Sequence, residues 1–371
     1  MRVDLLTPCF WPEVRRGTER FVHDLAEGLV GDGHRPRVVT SHRGRPSTSV
    51  EDGIEVMRVP RLPDDRLRRR RFEDHLTHLP FSYVALTTGD AELANAFTVA
   101  DAAMAARWSR RTGRPAVLSY MGIPDHPGLV DRRRRLQLTA RAVAGCRATV
   151  ALSRHAADEF RRWLGHDARM IYPGVDLDRF ALGSERTEEP TVVCTATLSE
   201  PRKRVPLLVE AVRLLRRDRP GTRLILDRPR DPALAAQFDD PDSGVELVAM
   251  DDPATMTELL GRAWAVALPS FGEAFGLVLI EGLATGTPVV ATGAGAFPEI
   301  VDRPEVGRLF DGDGAVAVAD ALRETFELAA DPSTRERCRA RAEDFSVRRT
   351  VSAYEELYTE LAAGSLGGRA V

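Results

Sequence analysis

Short apolar runs of strand length alternate along the chain with longer amphipathic stretches, and the alternation occurs twice. In the first half, residues 2–8, 37–40, 55–59, 116–121 and 148–152 read as strands. Residues 18–30 place Phe21, Val22, Leu25 and Leu29 at helical spacing, and residues 154–164 form a helix behind Ser153, a favourable N-cap. In the second half, residues 191–197, 222–227, 245–250, 264–269 and 287–291 read as strands, with helices over 206–215 and 276–285. Residues 315–330, 333–345 and 347–361 read as terminal helices. Strands alternating with helices predict parallel sheets of the α/β class. The polar, turn-rich residues 180–190 are the expected linker, and 371 residues exceed what one core usually supports. The expected architecture is therefore α/β with two doubly wound, Rossmann-like domains facing each other across a cleft. Residues 1–180 form the first domain, 181–345 the second and 346–371 a terminal helix with a frayed tail from 364.

The helix over 276–285 departs from the amphipathic pattern. Leu277, Val278, Leu279, Ile280 and Leu283 leave it almost no polar side, so it is a buried helix, yet Glu281 sits in its middle. A buried carboxylate is costly unless paired or hydrogen-bonded. Glu273 lies eight residues earlier, in the preceding turn. A helix running through both would set them roughly 12 Å apart on one side. Between them, the backbone N–H groups of Phe275, Gly276 and Leu277 at a helix N-terminus suit an anion. Two carboxylates bracketing an anion site fit a ligand with hydroxyls at both ends and phosphate in the middle, such as a nucleotide sugar. The plainer reading pairs Glu281 with an internal arginine and leaves Glu273 as a solvated loop residue.

The segment EAFGLVLIE from Glu273 to Glu281, followed by GTPVVAT, resembles the donor-site signature of retaining family 4 glycosyltransferases with the GT-B fold. The resemblance implies a metal-independent retaining enzyme that takes sugar from a nucleotide diphosphate donor and needs no cofactor. It implies catalytic roles for Lys203 and Glu273, ribose contact by Glu281, and donor contacts at Gly17, Thr197, Arg202, Phe275, Gly276 and Leu277. Gly17 and Glu19 are what remains of the family's Gly-Gly opening. Lys203 matches its diphosphate lysine, whereas Thr197 stands where an arginine is usual. Met121, before Gly122, stands where a histidine faces the donor sugar, and His126 is a possible substitute on the sugar and acceptor side. A thioether packs well against a methyl group, which points to a 6-deoxy or less polar donor sugar. The terminal helix is expected to cross back onto the first domain. The alternative within the family is a catalytically impaired homologue acting as a binding or partner subunit. A two-domain sugar binder or isomerase of similar architecture has no use for this glutamate pair beside a lone lysine.

Composition narrows the partners. A net charge of −3 argues against nucleic acid. Cys9, Cys146, Cys194 and Cys338 are scattered without a C-x-x-C, as in a reduced, cytoplasmic protein without a zinc motif. The acidic pairs Asp64–Asp65, Asp239–Asp240 and Asp251–Asp252 read as surface groups and not as metal ligands. Lys203 is the sole lysine in a chain that otherwise writes its cations as arginine, which suggests a need for a compact ammonium. An arginine run opens at Arg66 and ends at Phe72, and a second spans Arg132 to Arg135. Each is either a solvated helix face or a contact for a phosphorylated acceptor or an anionic membrane, at whose inner face the protein would then be peripheral. Sequence names neither the acceptor nor the nucleotide base.

Overall fold

Strands that bury both faces need helices on both sides, and the computed structural model builds two such layered units. It describes residues 1–367 except Arg15, Asp74 and Ser184. One unit comprises residues 1–173 together with the terminal helix from Val347, and the other comprises residues 174–346.

The first unit contains strands β1 (Arg2–Leu6), β2 (Arg35–His42), β3 (Ser47–Glu51), β4 (Ile54–Pro60), β5 (Leu93–Ala96), β6 (Ala116–Tyr120), β7 (Ala148–Ala151) and β8 (Arg169–Met170). Its helices are α1 (Gly17–Gly31), α2 (Asp65–Arg69), α3 (Leu79–Thr88), α4 (Val99–Thr112), α5 (His126–Asp131), α6 (Arg135–Gly145) and α7 (Arg154–Leu164). The second unit contains β9 (Thr191–Cys194), β10 (Arg223–Asp227), β11 (Val245–Val248), β12 (Ala265–Leu268), β13 (Val289–Thr292) and β14 (Gly307–Phe310). Its helices are α8 (Val205–Leu215), α9 (Pro232–Phe238), α10 (Pro253–Arg262), α11 (Leu277–Ala284), α12 (Phe297–Ile300), α13 (Ala315–Ala330) and α14 (Thr334–Glu343). The chain closes with α15 (Val347–Gly367), and the rest of the expected frayed tail lies outside the described residues.

Both sheets are doubly wound. The first runs β3-β4-β2-β1-β5-β6-β7-β8, parallel throughout except for the antiparallel edge pair β3–β4. The second runs β11-β10-β9-β12-β13-β14, all parallel. In each sheet the chain builds outward on one side and then returns to build on the other, which creates a switch point between β1 and β5 and another between β9 and β12. Ligands of open α/β sheets bind beyond the carboxyl ends of the strands at such points.

The linker expected over 180–190 is instead part of the second unit, and the chain changes unit at 173/174 and 346/347. The reason is a set of half-buried arginines. Arg339 donates to the carbonyls of Phe180 at 2.7 Å and Leu177 at 2.9 Å. Arg186 donates to the carbonyls of Ala263 at 2.6 Å and Ala329 at 2.9 Å. Burial, with Arg335 adding to it, lowers the Arg186 guanidinium to about 10. A polar composition here means hydrogen bonding to the unit, not a free tether.

The terminal helix α15 is part of the first unit. Val351, Tyr354, Leu357 and Tyr358 join the core formed by Phe21, Leu25 and Leu29 of α1 and the central strands. Its two tyrosines reach a buried polar network: Asn95 Nδ2 donates to the Tyr358 hydroxyl at 2.7 Å, Ser119 Oγ donates to Asn95 Oδ1 at 3.0 Å, and Ser119 Oγ meets the Tyr354 hydroxyl at 2.8 Å. Burial pushes both phenols well above their ordinary value. Replacing Tyr358 with Phe leaves the Asn95 amide without its acceptor inside the core, a loss of about 1–3 kcal/mol that denaturant unfolding would measure.

Candidate active site

The switch point of the second sheet brings together the two segments on which the sequence reading concentrated. From the end of β9 the chain makes a loop and a 3₁₀ turn, Pro201–Lys203, before entering α8. From the end of β12 it makes the loop that carries Glu273 into α11. The Lys203 ammonium lies 2.5 Å from Glu273 Oε1, and Arg202 Nη1 lies 2.9 Å from the same oxygen. The Phe271 N–H donates to the Arg202 carbonyl at 2.9 Å, so the two loops are joined through backbone as well as charge. Lys203 and Glu273 side chains are each 15% exposed, which weakens solvent screening of the pair without removing it from ligand reach. Arg202 also pairs with Glu200 Oε2 at 2.7 Å, so two cations are balanced here by two carboxylates. An anionic ligand in this partly desolvated mouth would take the cations over from those carboxylates.

Arg204, next in the chain, makes a third tie between loops. Its guanidinium stacks 4.1 Å over the Phe271 ring and its Nη2 donates to Asp313 Oδ1 at 2.9 Å and to the Gly312 carbonyl at 3.3 Å. Its backbone has φ 53, a left-handed conformation in which glycine is at ease and arginine is strained. The other arm, Nη1, is buried without a hydrogen-bond partner. Arg204 thus ties the loop after β12, which carries Phe271 and Glu273, to the loop after β14.

Helix α11 begins at Leu277 and has Gly276 as N-cap, with no side chain capping its first turn. The helix was expected to include Gly276. Instead Gly276 has φ 128, outside helical space, so residues 273–276 are not helical and the two-turn separation of Glu273 and Glu281 is not realised. A Cβ there would also lie 2.8 Å from Phe297 Cε1, so both conformation and space require glycine. Phe275 is buried at 5.4 Å ring separation from Phe345, and Leu277 is half-buried. Glu281 is 3% exposed in an otherwise apolar helix, as the pattern implied.

Among the described residues, the structure brings Arg202, Lys203 and Glu273 into direct contact and places Phe275, Gly276, Leu277 and Glu281 on the same strand–loop–helix segment. Thr197 is exposed in the loop after β9. Gly17, Met121, Gly122 and His126 belong to the first unit. Gly17 opens α1, behind Arg16, whose side chain pairs with the buried Glu19 at 2.8 Å. Met121 is half-buried against the core at the carboxyl end of β6 and Gly122 follows it. His126 is exposed at the start of α5, its ring 5.3 Å from that of Trp163.

Two groups escaped the sequence reading. Ser270 and Thr292, at the carboxyl ends of β12 and β13, are 1% and 3% exposed, and both hydroxyls lack a hydrogen-bond partner. Unsatisfied buried hydroxyls at the ligand edge of a sheet are free to meet a bound molecule. The only sequence signal was position, each lying just past an apolar strand. One acidic pair also differs from expectation: Asp64 is 6% exposed, because its carboxylate accepts the His75 N–H at 2.7 Å.

Comparison with known proteins bears on the family and the fold. Residues 15–179 match the family model described as Glycosyltransferase Family 4, and residues 189–327 match that described as Glycosyl transferases group 1. The phosphatidyl-myo-inositol mannosyltransferase of Mycobacterium tuberculosis is 27% identical over 90% of this chain and 92% of its own length. The D-inositol 3-phosphate glycosyltransferase of Saccharomonospora viridis is 32% identical over 54% of this chain and 51% of its own. Among solved structures, sucrose-phosphate synthase from Thermosynechococcus elongatus superposes with a TM-score of 0.81 at 20% identity, over 98% of this chain and 99% of that one. Anabaena HepE in complex with UDP-glucose gives 0.73 at 17% identity, over 97% and 100%. With two parallel-sheet α/β units, both family models matched and the fold shared, the chain belongs to family 4 of the glycosyltransferases and has their GT-B fold.

Proposed function

We propose that the protein transfers a sugar, with retention at the anomeric carbon, from a nucleotide diphosphate donor held at the carboxyl edge of the second sheet. The observation that carries this reading is the convergence of Lys203 and Arg202 on Glu273 beside the uncapped start of α11. Lys203, Arg202 and the α11 N-terminus stabilise the charge that grows on the leaving diphosphate, with Arg202 supplying the cation that Thr197 does not. Glu273 holds hydroxyls of the donor sugar and Glu281 those of the ribose. Protein cations and the helix dipole take the place of a metal at the diphosphate, so no cofactor enters the reaction. Gly17 contacts the donor, and Met121, Gly122 and His126 serve the sugar and acceptor side.

The relatives' names support an inositol-containing acceptor, free or lipid-linked. The exposed Arg66, Arg68, Arg69, Arg70 and Arg71 support peripheral contact with an anionic membrane, at the cytoplasmic face. No described helix is long and apolar enough to cross a membrane. The test is thermal stability against a panel of nucleotides and nucleotide sugars, since a ligand at a hundred times its Kd stabilises by about 2.7 kcal/mol. Turnover or slow hydrolysis of the stabilising donor separates an enzyme from a binding-only homologue.

Two predictions follow the donor. Glu281→Gln should raise KM for the donor with kcat little changed, because a fixed acceptor within an apolar helix binds ground and transition states alike. Lost kcat at unchanged KM would make it a proton carrier instead. Met121→His should shift the kcat/KM ratio from a 6-deoxy donor toward its 6-hydroxyl analogue, by roughly 10- to 200-fold at most. Competition between the two sugars on one nucleotide reads that ratio, and an unshifted ratio removes Met121 from the sugar pocket.

A further inference from the structure

Arg204 carries two features that cost stability. Its backbone is left-handed, with φ 53 and ψ 31, where glycine would be unstrained, and its Nη1 is buried without a hydrogen-bond partner. Its backbone duties do not require arginine. The Arg204 N–H donates to the Pro201 carbonyl at 3.1 Å, its carbonyl accepts the Leu207 N–H at 3.0 Å, and α8 takes no side-chain cap from it. Glycine would serve both bonds. Strain kept at the ligand edge of a sheet points to a functional constraint.

The side chain supplies that constraint. It is 12% exposed and stacks on the Phe271 ring, while Nη2 reaches Asp313 and the Gly312 carbonyl in the loop after β14. Phe271 is thereby held twice, at its ring by Arg204 and at its N–H by the Arg202 carbonyl. Gly272 lies between Phe271 and Glu273, with φ 66 and nothing within 4 Å of its Cβ position, so it gives the segment no packing of its own. The anchor in front of Glu273 is therefore Phe271. We propose that Arg204 is a positioning residue for the donor site, which acts through Phe271 to hold Glu273 against Lys203. The guanidinium suits this task because its plane stacks on an aromatic ring while its edge still donates hydrogen bonds. The inference rests on the donor reading of Lys203 and Glu273, in which Arg204 itself touches no reacting atom. A carboxylate displaced by about 1 Å at such a site can cost 10²-fold in rate.

The experiment compares the full chain with Arg204→Gly, Phe271→Leu, Phe271→Tyr and the double variant of Arg204→Gly with Phe271→Leu. The first readout needs no donor. Lys203 is the chain's only lysine, so its acylation by a water-soluble succinimidyl ester, located by mass spectrometry, reports how closely Glu273 engages the amine. An ammonium held on a carboxylate is shielded from the ester. Acylation is expected to be about 2- to 5-fold faster in Arg204→Gly and in Phe271→Leu, no faster in the double variant, and at the wild-type rate in Phe271→Tyr, which keeps the ring. Phe271 is 42% exposed, so its variants test the pair without a backbone change. The second readout is calorimetry with UDP, GDP, ADP and dTDP. The nucleotides that bind wild type should bind Arg204→Gly and Phe271→Leu about 5- to 20-fold more weakly, again without further loss in the double variant. Wild-type acylation in both single variants, or a double variant whose effect is the product of the two, overturns the proposal. Failure of wild type to bind any of the four nucleotides removes the donor reading instead, and the acylation rates still decide whether Arg204 holds Glu273 against Lys203.

Discussion

Lys203→Ala is expected to lower kcat by about 10²- to 10³-fold and to weaken binding of nucleoside diphosphates, with little loss of folded protein. The ammonium sits at the switch point of the second sheet, 2.5 Å from Glu273 Oε1. Charge on a leaving diphosphate grows where this cation already stands, so its stabilisation is greater in the transition state than in the ground state. The fold tolerates the change because Arg202 still pairs with Glu273 at 2.9 Å and the Phe271–Arg202 backbone bond remains. Lys203→Arg should rescue poorly. A planar guanidinium needs a wider approach than a compact ammonium, and Arg202 already occupies the adjoining side of the carboxylate. Calorimetry with nucleoside diphosphates and single-turnover rates check this. Affinity unchanged for every nucleoside diphosphate that the wild type binds would remove Lys203 from the diphosphate site.

The parts of this arrangement that were legible in the sequence are those in which local chemistry and burial agree. The runs that became β9, β12 and β13, and the Leu224–Leu226 centre of β10, fill both faces with buried side chains, as strands inside a parallel sheet must. Helix α7 runs from Arg154 to Leu164 as expected, because the Ser153 hydroxyl accepts the Ala156 N–H at 3.1 Å and Gly165 ends it with φ 58. The central strand β5 was not legible. It reads Leu-Ala-Asn-Ala, with small side chains of weak strand preference, and its buried Asn95 is explained by partners distant in sequence, Ser119 and Tyr358. Edge strand β3 was missed because it is mostly exposed and pairs antiparallel to β4, so it carries no apolar run. Helices α3, α4, α9 and α10 were also not anticipated.

At the site, residue types were legible and contacts were not. The motif singled out Lys203 and Glu273, but nothing in their spacing states that two cations share one carboxylate oxygen. That contact depends on the return of β12 beside β9, a property of sheet order. The Arg204 stack on Phe271 was hidden for the same reason, since its partners come from loops after β12 and β14. Polar composition misled over residues 180–190, where Arg339 from a distant helix donates to the local Phe180 carbonyl and the local Arg186 donates to the distant Ala329 carbonyl.

Gly276→Ala is expected to cost about 2–4 kcal/mol, because two penalties coincide at one residue. An L side chain rarely adopts φ 128, and the new Cβ would lie 2.8 Å from Phe297 Cε1 and 3.2 Å from Cδ1. Neither can relax cheaply: Phe297 is 1% exposed at the start of α12, and Gly276 is fixed by Leu279, whose N–H donates to its carbonyl at 3.0 Å. Gly272, four residues earlier, separates the two effects. Its φ is 66 and nothing lies within 4 Å of its Cβ position, so Gly272→Ala carries only the left-handed strain of about 1–2 kcal/mol. The measurement is Tm of both variants, with nucleoside diphosphate affinity taken well below each Tm. Gly276→Ala should melt roughly 5–15 °C lower than wild type and bind more weakly, since the first turn of α11 must move for Phe297 to clear the methyl group. Equal losses in the two variants would mean that crowding against Phe297 contributes nothing, and that the glycine is needed for its backbone alone.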